Sequence, residues 1–174
     1  YAELHCLSNF SFLRGASHPD ELVEQAVAQG YAALALTDEC SLAGIVRAHQ
    51  AARQAGLKLL VGSEMTTLDG LKLVFLAQNR EGYGNLSALI TLARRRADKG
   101  HYSLHRHDLN AVSPNGALPD CLVLWVPGEG QGADAGRWLA ERFPGRLWIA
   151  AELHAGPDDT ARLAGLQELA SACQ

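Results

Sequence analysis

The chain has 174 residues, 48% of them hydrophobic, with a net charge of −4 and a pI near 6.0, which fits one soluble domain large enough to bury a core. The acidic balance argues against a free-standing nucleic-acid binder, because such binding draws its affinity mainly from neutralised phosphates. No apolar run approaches the ~20 residues that cross a bilayer, and the N-terminal residues lack a signal peptide's basic start and apolar stretch, so a cytoplasmic location without membrane contact is expected.

Apolar periodicity alternates between strand-like and helical runs, which predicts an α/β protein. A first strand at residues 3–7 leads through a polar loop to Gly15. A helix then starts at Ser17, has Asp20 and Glu21 in its first turn and ends at Gly30. Residues 33–37 form a second strand opening into Thr37-Asp38-Glu39, and residues 42–55 form a helix stopped by Gly56. Two further strands, 57–67 and 71–77, are joined at Asp69-Gly70, a dipeptide that tolerates positive φ in a hairpin turn. Helical spacing returns over 82–96, with a short helix after Arg106. A strand at 121–126, a helix at 133–143, a strand at 147–152 and a helix from Pro157 to Cys173 complete the chain. No linker or repeat divides it. An α/β closure needing more strands has no residues left after Gln174, so the barrel is expected to be incomplete, with exposed apolar edges inviting dimerisation. Cys6, Cys40, Cys121 and Cys173 form no C-x-x-C pair and read as reduced thiols.

Three segments fall at the C-terminal ends of predicted strands, where α/β sheets place their sites: residues 3–8 with His5, Thr37-Asp38-Glu39, and residues 61–64 with Glu64. A histidine and carboxylates converging there suit a divalent metal that activates water for phosphoester hydrolysis. Taken singly, His5 beside apolar neighbours also reads as a hydrogen-bonded core histidine, and Asp38 as a loop or helix cap.

The order ELHCLSNFSFLRGAS, YAALALTDECSLAG, AGLKLLVGSE and LKLVFLAQNREGYGNL resembles the opening of bacterial C-family DNA polymerases through their PHP (polymerase and histidinol phosphatase) domain, over most of the first 95 residues. TDECSLAG and LHCLSNFSFLRGAS resemble the error-prone branch. The resemblance implies a PHP-type distorted (βα) barrel of parallel strands, with up to three metals at the strand C-termini, and residues 1–174 as its N-terminal portion without polymerase palm, fingers or thumb. The family's His-x-His pair becomes His5 and Leu7, its next ligand falls on Arg14, and its TDH motif becomes Thr37-Asp38-Glu39. Its glutamate is matched by Glu64, its next histidine falls on Lys72, and its final Asp-x-His motif would lie beyond Gln174. His5, Glu39 and Glu64 are thus the residual metal ligands, while Arg14 and Lys72 oppose a cation and would instead pair with Glu39 or Glu64.

The resemblance therefore implies a vestigial, structural PHP domain of a damage-tolerant DNA polymerase, with no catalytic residues or cofactor of its own. Magnesium would serve the parent polymerase, and its partners would be the rest of the polymerase chain, DNA and accessory repair proteins. Two alternatives stay open: an active metal-dependent phosphoesterase or proofreading nuclease holding a residual zinc or manganese, and a nucleotide-binding α/β module. The latter rests on Gly128-x-Gly130-x-x-Ala133 opening a helix, with Glu152 ending the next strand. His105-x-His107-Asp108 has ligand chemistry, but it follows Arg94-Arg95-Arg96, Lys99 and His101, and together they read as a solvated, locally positive surface suited to a DNA backbone or a partner.

Overall fold

The computed structural model describes residues 1–111, 116–128 and 130–173. Strands and helices alternate as β1 (Ala2–Cys6), α1 (Pro19–Ala28), β2 (Ala33–Leu36), α2 (Ile45–Ala55), β3 (Lys58–Thr66), β4 (Lys72–Ala77), α3 (Arg80–Arg95), β5 (Cys121–Val126), α4 (Ala133–Arg142), β6 (Leu147–Ile149) and α5 (Asp159–Ala172), with a 3-10 turn at Arg106–Asn110. The six strands form one curled sheet in chain order.

The sheet is mixed rather than all parallel. β1, β2 and β3 run parallel, β4 is antiparallel to both β3 and β5, and β6 is parallel to β5. The reversal follows from the short β3–β4 connection, because a parallel pair would need a crossover of a dozen or more residues. Its turn is centred on Leu68 and Asp69 and closed by the Gly70 N–H donating to the Thr67 carbonyl at 2.8 Å. The turn centre is thus one position earlier than the Asp69-Gly70 pair suggests, and of the two only Gly70 has positive φ (+90°).

Period-two alternation sorts the strand residues into two layers. Leu34 and Leu36 face α1 and α2, packing with Val23, Ala26, Ile45, Ala48 and Ala52. Leu73, Phe75, Val123 and Trp125 likewise pack outward against Leu86 and Leu89 of α3 and Leu139 of α4. Their neighbours Ala35, Val74, Leu76 and Val126 turn to the concave face with Leu60, Leu122 and Leu124. That face lines an open cleft of about 960 Å³. Among the described residues, no helix is long and apolar enough to cross a membrane.

Several boundaries differ from the sequence expectation. α1 starts at Pro19 rather than Ser17, since proline suits the first helical position and the Glu21 carboxylate accepts from the His18 N–H at 2.7 Å. α2 begins at Ile45 rather than Leu42, with Gly44 as its cap. α3 starts earlier than residue 82, because the Asn79 side chain caps it by accepting from the Gly82 N–H at 2.9 Å. β6 ends at Ile149, not Glu152. After the Ala150 N–H donates to the Trp125 carbonyl at 2.7 Å, residues 150–152 leave the sheet. This departure carries Glu152 across the mouth to His5, one side-chain contact between the two ends of a sheet whose edge strands are β1 and β6, so the barrel is incomplete, as expected.

Candidate functional site

His5 at the end of β1, Glu39 after β2, Glu64 in β3 and Lys72 in β4 all arrive at one end of the concave face. Backbone pairing sets the register: the Glu64 N–H donates to the Thr37 carbonyl at 3.0 Å, and the Cys40 N–H donates to the Glu64 carbonyl at 2.8 Å. Glu64 thereby lies beside Glu39 in an isolated parallel bridge. Thr66 pairs with Lys72 across the β3–β4 ladder, so Lys72 is the diagonal, same-face neighbour of Glu64.

Glu64 is the hub. Its side chain is 1% exposed, and its carboxylate receives three cationic or ring-nitrogen partners. Arg14 Nη1 donates to Oε1 at 2.5 Å, Lys72 Nζ lies 3.1 Å from Oε2, and His5 Nε2 lies 2.7 Å from Oε2. Arg14 Nη1 also donates to Glu39 Oε2 at 2.8 Å, and the other Glu39 oxygen accepts from the Tyr102 hydroxyl at 3.1 Å. His5 Nδ1 is hydrogen-bonded to the Glu152 carboxylate. Three carboxylates thus face Arg14, Lys72 and His5, so the cluster is charge-balanced when His5 is protonated.

Burial alone would raise the Glu64 pKa. Hydrogen bonds from His5 and Arg14 and the nearby Lys72 ammonium outweigh it and hold the carboxyl well below the usual carboxylate range. For His5, burial works to lower the pKa, but the flanking Glu64 and Glu152 carboxylates favour the imidazolium, and the net direction is upward. Burial pushes the Tyr102 hydroxyl up to about 12, so it remains a donor to Glu39.

This donor set does not fit a divalent cation. A metal bridging Glu39 and Glu64 would have to occupy the position of the Arg14 guanidinium, and both Glu64 oxygens already accept from positive groups. Leu7 offers no lone pair at the second position of the His-x-His pair. Among the described residues, no three His, Cys, Asp or Glu side chains are arranged to hold a metal ion.

Asp38 is neither a ligand nor a helix cap. Fully buried, it accepts from the Ser8 N–H at 2.8 Å, the Ser8 hydroxyl at 2.6 Å and the Ser11 hydroxyl at 2.7 Å, and so fixes the loop that carries Arg14. Ser11 Oγ in turn accepts from the Glu39 N–H at 2.9 Å.

The other candidates resolve into local structure. Position 129 of the glycine-rich turn lies outside the described residues. Next to it, the Gln131 side-chain oxygen accepts from the Gly128 N–H and from Trp125 Nε1, both at 3.1 Å, while its amide donates to the Gly70 carbonyl at 2.7 Å. A side chain therefore occupies the amide that a phosphate would need, and Glu152, the acid of the supposed fingerprint, is engaged with His5. His105 and His107 stack at 5.0 Å, and Asp108 is held by Arg96 at 2.5 Å and by the His105 N–H at 2.8 Å. The arginine stretch is less solvated than its composition suggests. Arg94 donates to the Glu39 and Cys40 carbonyls, each at 3.1 Å, and Arg96 pairs with buried Asp108, so two of the three arginines bind inward.

Sequence reasoning missed Tyr102, and it singled out Glu152 only as the acid of a nucleotide fingerprint, not as a partner of His5. Glu152 is 147 positions from His5, and no periodicity links them. Tyr102 follows a polar stretch that gives no sign of a hydroxyl aimed at Glu39.

A family profile described as PHP domain matches residues 3–124. The chain is 75% identical over 173 residues to an error-prone DNA polymerase of Dechloromonas aromatica, covering 99% of this chain and 17% of that protein. It is 53% identical over 197 aligned residues to an error-prone DNA polymerase of Azoarcus sp., covering 99% and 18%. The chain thus spans only about a sixth of the length of these curated relatives. Among solved structures, a Bifidobacterium adolescentis protein assigned as a metal-dependent phosphoesterase superposes with a TM-score of 0.63 at 18% identity, covering 96% of this chain and 82% of that one. At that identity the likeness concerns the fold.

Proposed function

The chain belongs to the PHP domain family, and from that premise we propose that it is the N-terminal PHP domain of an error-prone DNA polymerase whose hydrolytic site has become an ion-pair clasp. The observation that carries this reading is the Arg14 guanidinium bridging Glu39 and Glu64, where the family would hold a metal. The high identity to error-prone DNA polymerases over nearly the whole chain supports the parentage.

In this reading the domain is a rigid platform. The clasp ties β1, the segment after β2, β3, β4 and the segment after β6 together at one end of the sheet. Polymerisation itself would proceed by magnesium-dependent phosphoryl transfer at residues this chain does not contain, on DNA in the cytoplasm, with accessory repair proteins as further partners. The test is an assay of the 174-residue chain with a generic phosphodiester and manganese, beside primer extension by the full-length protein. Extension without hydrolysis is expected. Manganese-dependent hydrolysis that disappears in a Glu64→Gln variant would establish the phosphoesterase alternative instead.

A further inference from the structure

The loop between β1 and α1 combines rigidity with exposure. Besides the three hydrogen bonds to Asp38, it is closed by Ser11 N–H to the Ser8 carbonyl at 2.9 Å, Arg14 N–H to the Ser11 carbonyl at 2.9 Å, Gly15 N–H to the Ser11 carbonyl at 3.0 Å and Asn9 N–H to the Ser17 carbonyl at 2.9 Å. Arg14 anchors it to Glu39 and Glu64. Yet this loop leaves Phe12 84% and Leu13 89% exposed, and Leu13 takes a left-handed φ of +61° that a branched side chain rarely adopts. A large aromatic and a leucine held outward at the tip of a loop tied down on both sides by these hydrogen bonds, with backbone strain at Leu13, form a preorganised apolar knob.

Size decides the occupant. A phenylalanine buries at most ~250 Å², so Phe12 with Leu13 falls well short of the ~800 Å² per partner of a stable specific complex. A second copy would therefore gain too little from this tip. A socket on the same polypeptide needs far less, because tethering supplies effective concentrations in the millimolar range. The relatives that match this chain are about six times its length, which provides such a polypeptide.

We propose that the Phe12–Leu13 tip docks into an apolar socket formed by the part of the polymerase polypeptide outside these 174 residues, packing the ion-paired end of the sheet against it. This rests on reading the chain as a domain of a longer polymerase. The interaction is intramolecular, and the ion-pair clasp beneath the loop sets its geometry.

Hydroxyl-radical footprinting of unmodified protein tests it. Phe12 and Leu13 should oxidise at least about tenfold more slowly in the full-length protein than in the 174-residue chain, at every concentration, as expected for a tip docked most of the time. Equal oxidation in the two proteins overturns the proposal. So does protection that develops in the 174-residue chain as its concentration rises, which would mark a second copy as the occupant. Primer extension by the same full-length preparation separates the two readings. An active polymerase with an unprotected tip removes the docking alone, whereas protein that extends no primer removes the polymerase reading, and tip protection is then scored independently.

Discussion

Arg14 Nη1 lies 2.5 Å from Glu64 Oε1, placing a guanidinium from the β1–α1 loop on a carboxylate in the middle of the sheet. The same nitrogen reaches Glu39 at 2.8 Å, so one side chain bridges two of the three acids at the mouth. What holds this end of the fold is therefore a set of internal charges whose loss has measurable consequences.

Replacing Glu64 by Gln removes the hub while leaving Arg14, Lys72 and His5 in place. Removing one member of a buried ion network strands the others, and the expected destabilisation is about 3 kcal/mol. Urea unfolding should show the midpoint fall at constant slope; a midpoint within error of the parent chain would mean that the clasp contributes nothing.

Stability should depend on pH through the same cluster. The His5 pKa is raised above its ordinary 6.5, so its contribution is complete below pH 6.5 and is lost as pH rises through the raised value. The Glu64 pKa is lowered from 4.5, so its contribution is complete above pH 4.5 and is lost as pH falls through the lowered value. The cluster is thus most stabilising between those two values. Thermal melts of the parent chain should weaken on going from pH 6 to pH 9, and a His5→Gln variant should lose that slope. An unchanged slope in the variant would assign the pH dependence elsewhere.

Two glycines should respond in opposite directions to alanine. A Cβ at Gly15 would lie 2.0 Å from the Ser8 carbonyl oxygen, forcing apart the loop that carries Arg14, at a cost of about 1–3 kcal/mol. A Cβ at Gly84 meets nothing within 4 Å on an exposed face of α3, so Gly84→Ala should stabilise by roughly 0.5–1 kcal/mol through helix propensity. Matched melting curves of the two variants decide this; a neutral Gly15→Ala would show that the loop can give way.

Reinstating the ligand types that the family pattern places at the altered positions should restore metal affinity. A Leu7→His, Arg14→Asp, Lys72→His variant exchanges two cations and an aliphatic group for donors around His5, Glu39 and Glu64. Calorimetric titration with manganese should show binding absent from the parent chain. A silent titration in a variant that remains folded would mean that something other than these three side chains excludes the metal.

Much of the fold was legible because short apolar runs of strand length alternate with helical spacings along the chain. The strands that carry Leu34, Leu73 and Val123 were read from such runs, and the sequence blocks carried the likeness to PHP domains. Boundaries failed where side-chain chemistry overrides periodicity, as at Asn79, whose cap starts α3 early, and at Ile149, after which the chain turns toward His5. The pairing of Arg14 and Lys72 with Glu39 and Glu64 was legible from charge at aligned positions. Glu152 and Tyr102 were not, because their roles depend on how the sheet curls and on a loop crossing the mouth. The arginine stretch misled for a similar reason: Arg94 and Arg96 look solvated in sequence, but the fold supplies carbonyls and a buried aspartate for them.

The metal content of the purified chain, measured by elemental analysis after exposure to zinc and manganese and dialysis, tests the ion-pair clasp most directly. Less than about a tenth of an equivalent is expected, in the parent chain and in a His5→Ala variant alike, since no deprotonated ligand set is free to bind. Close to one equivalent in the parent chain, lost in His5→Ala, would contradict the clasp and restore His5 to a metal centre.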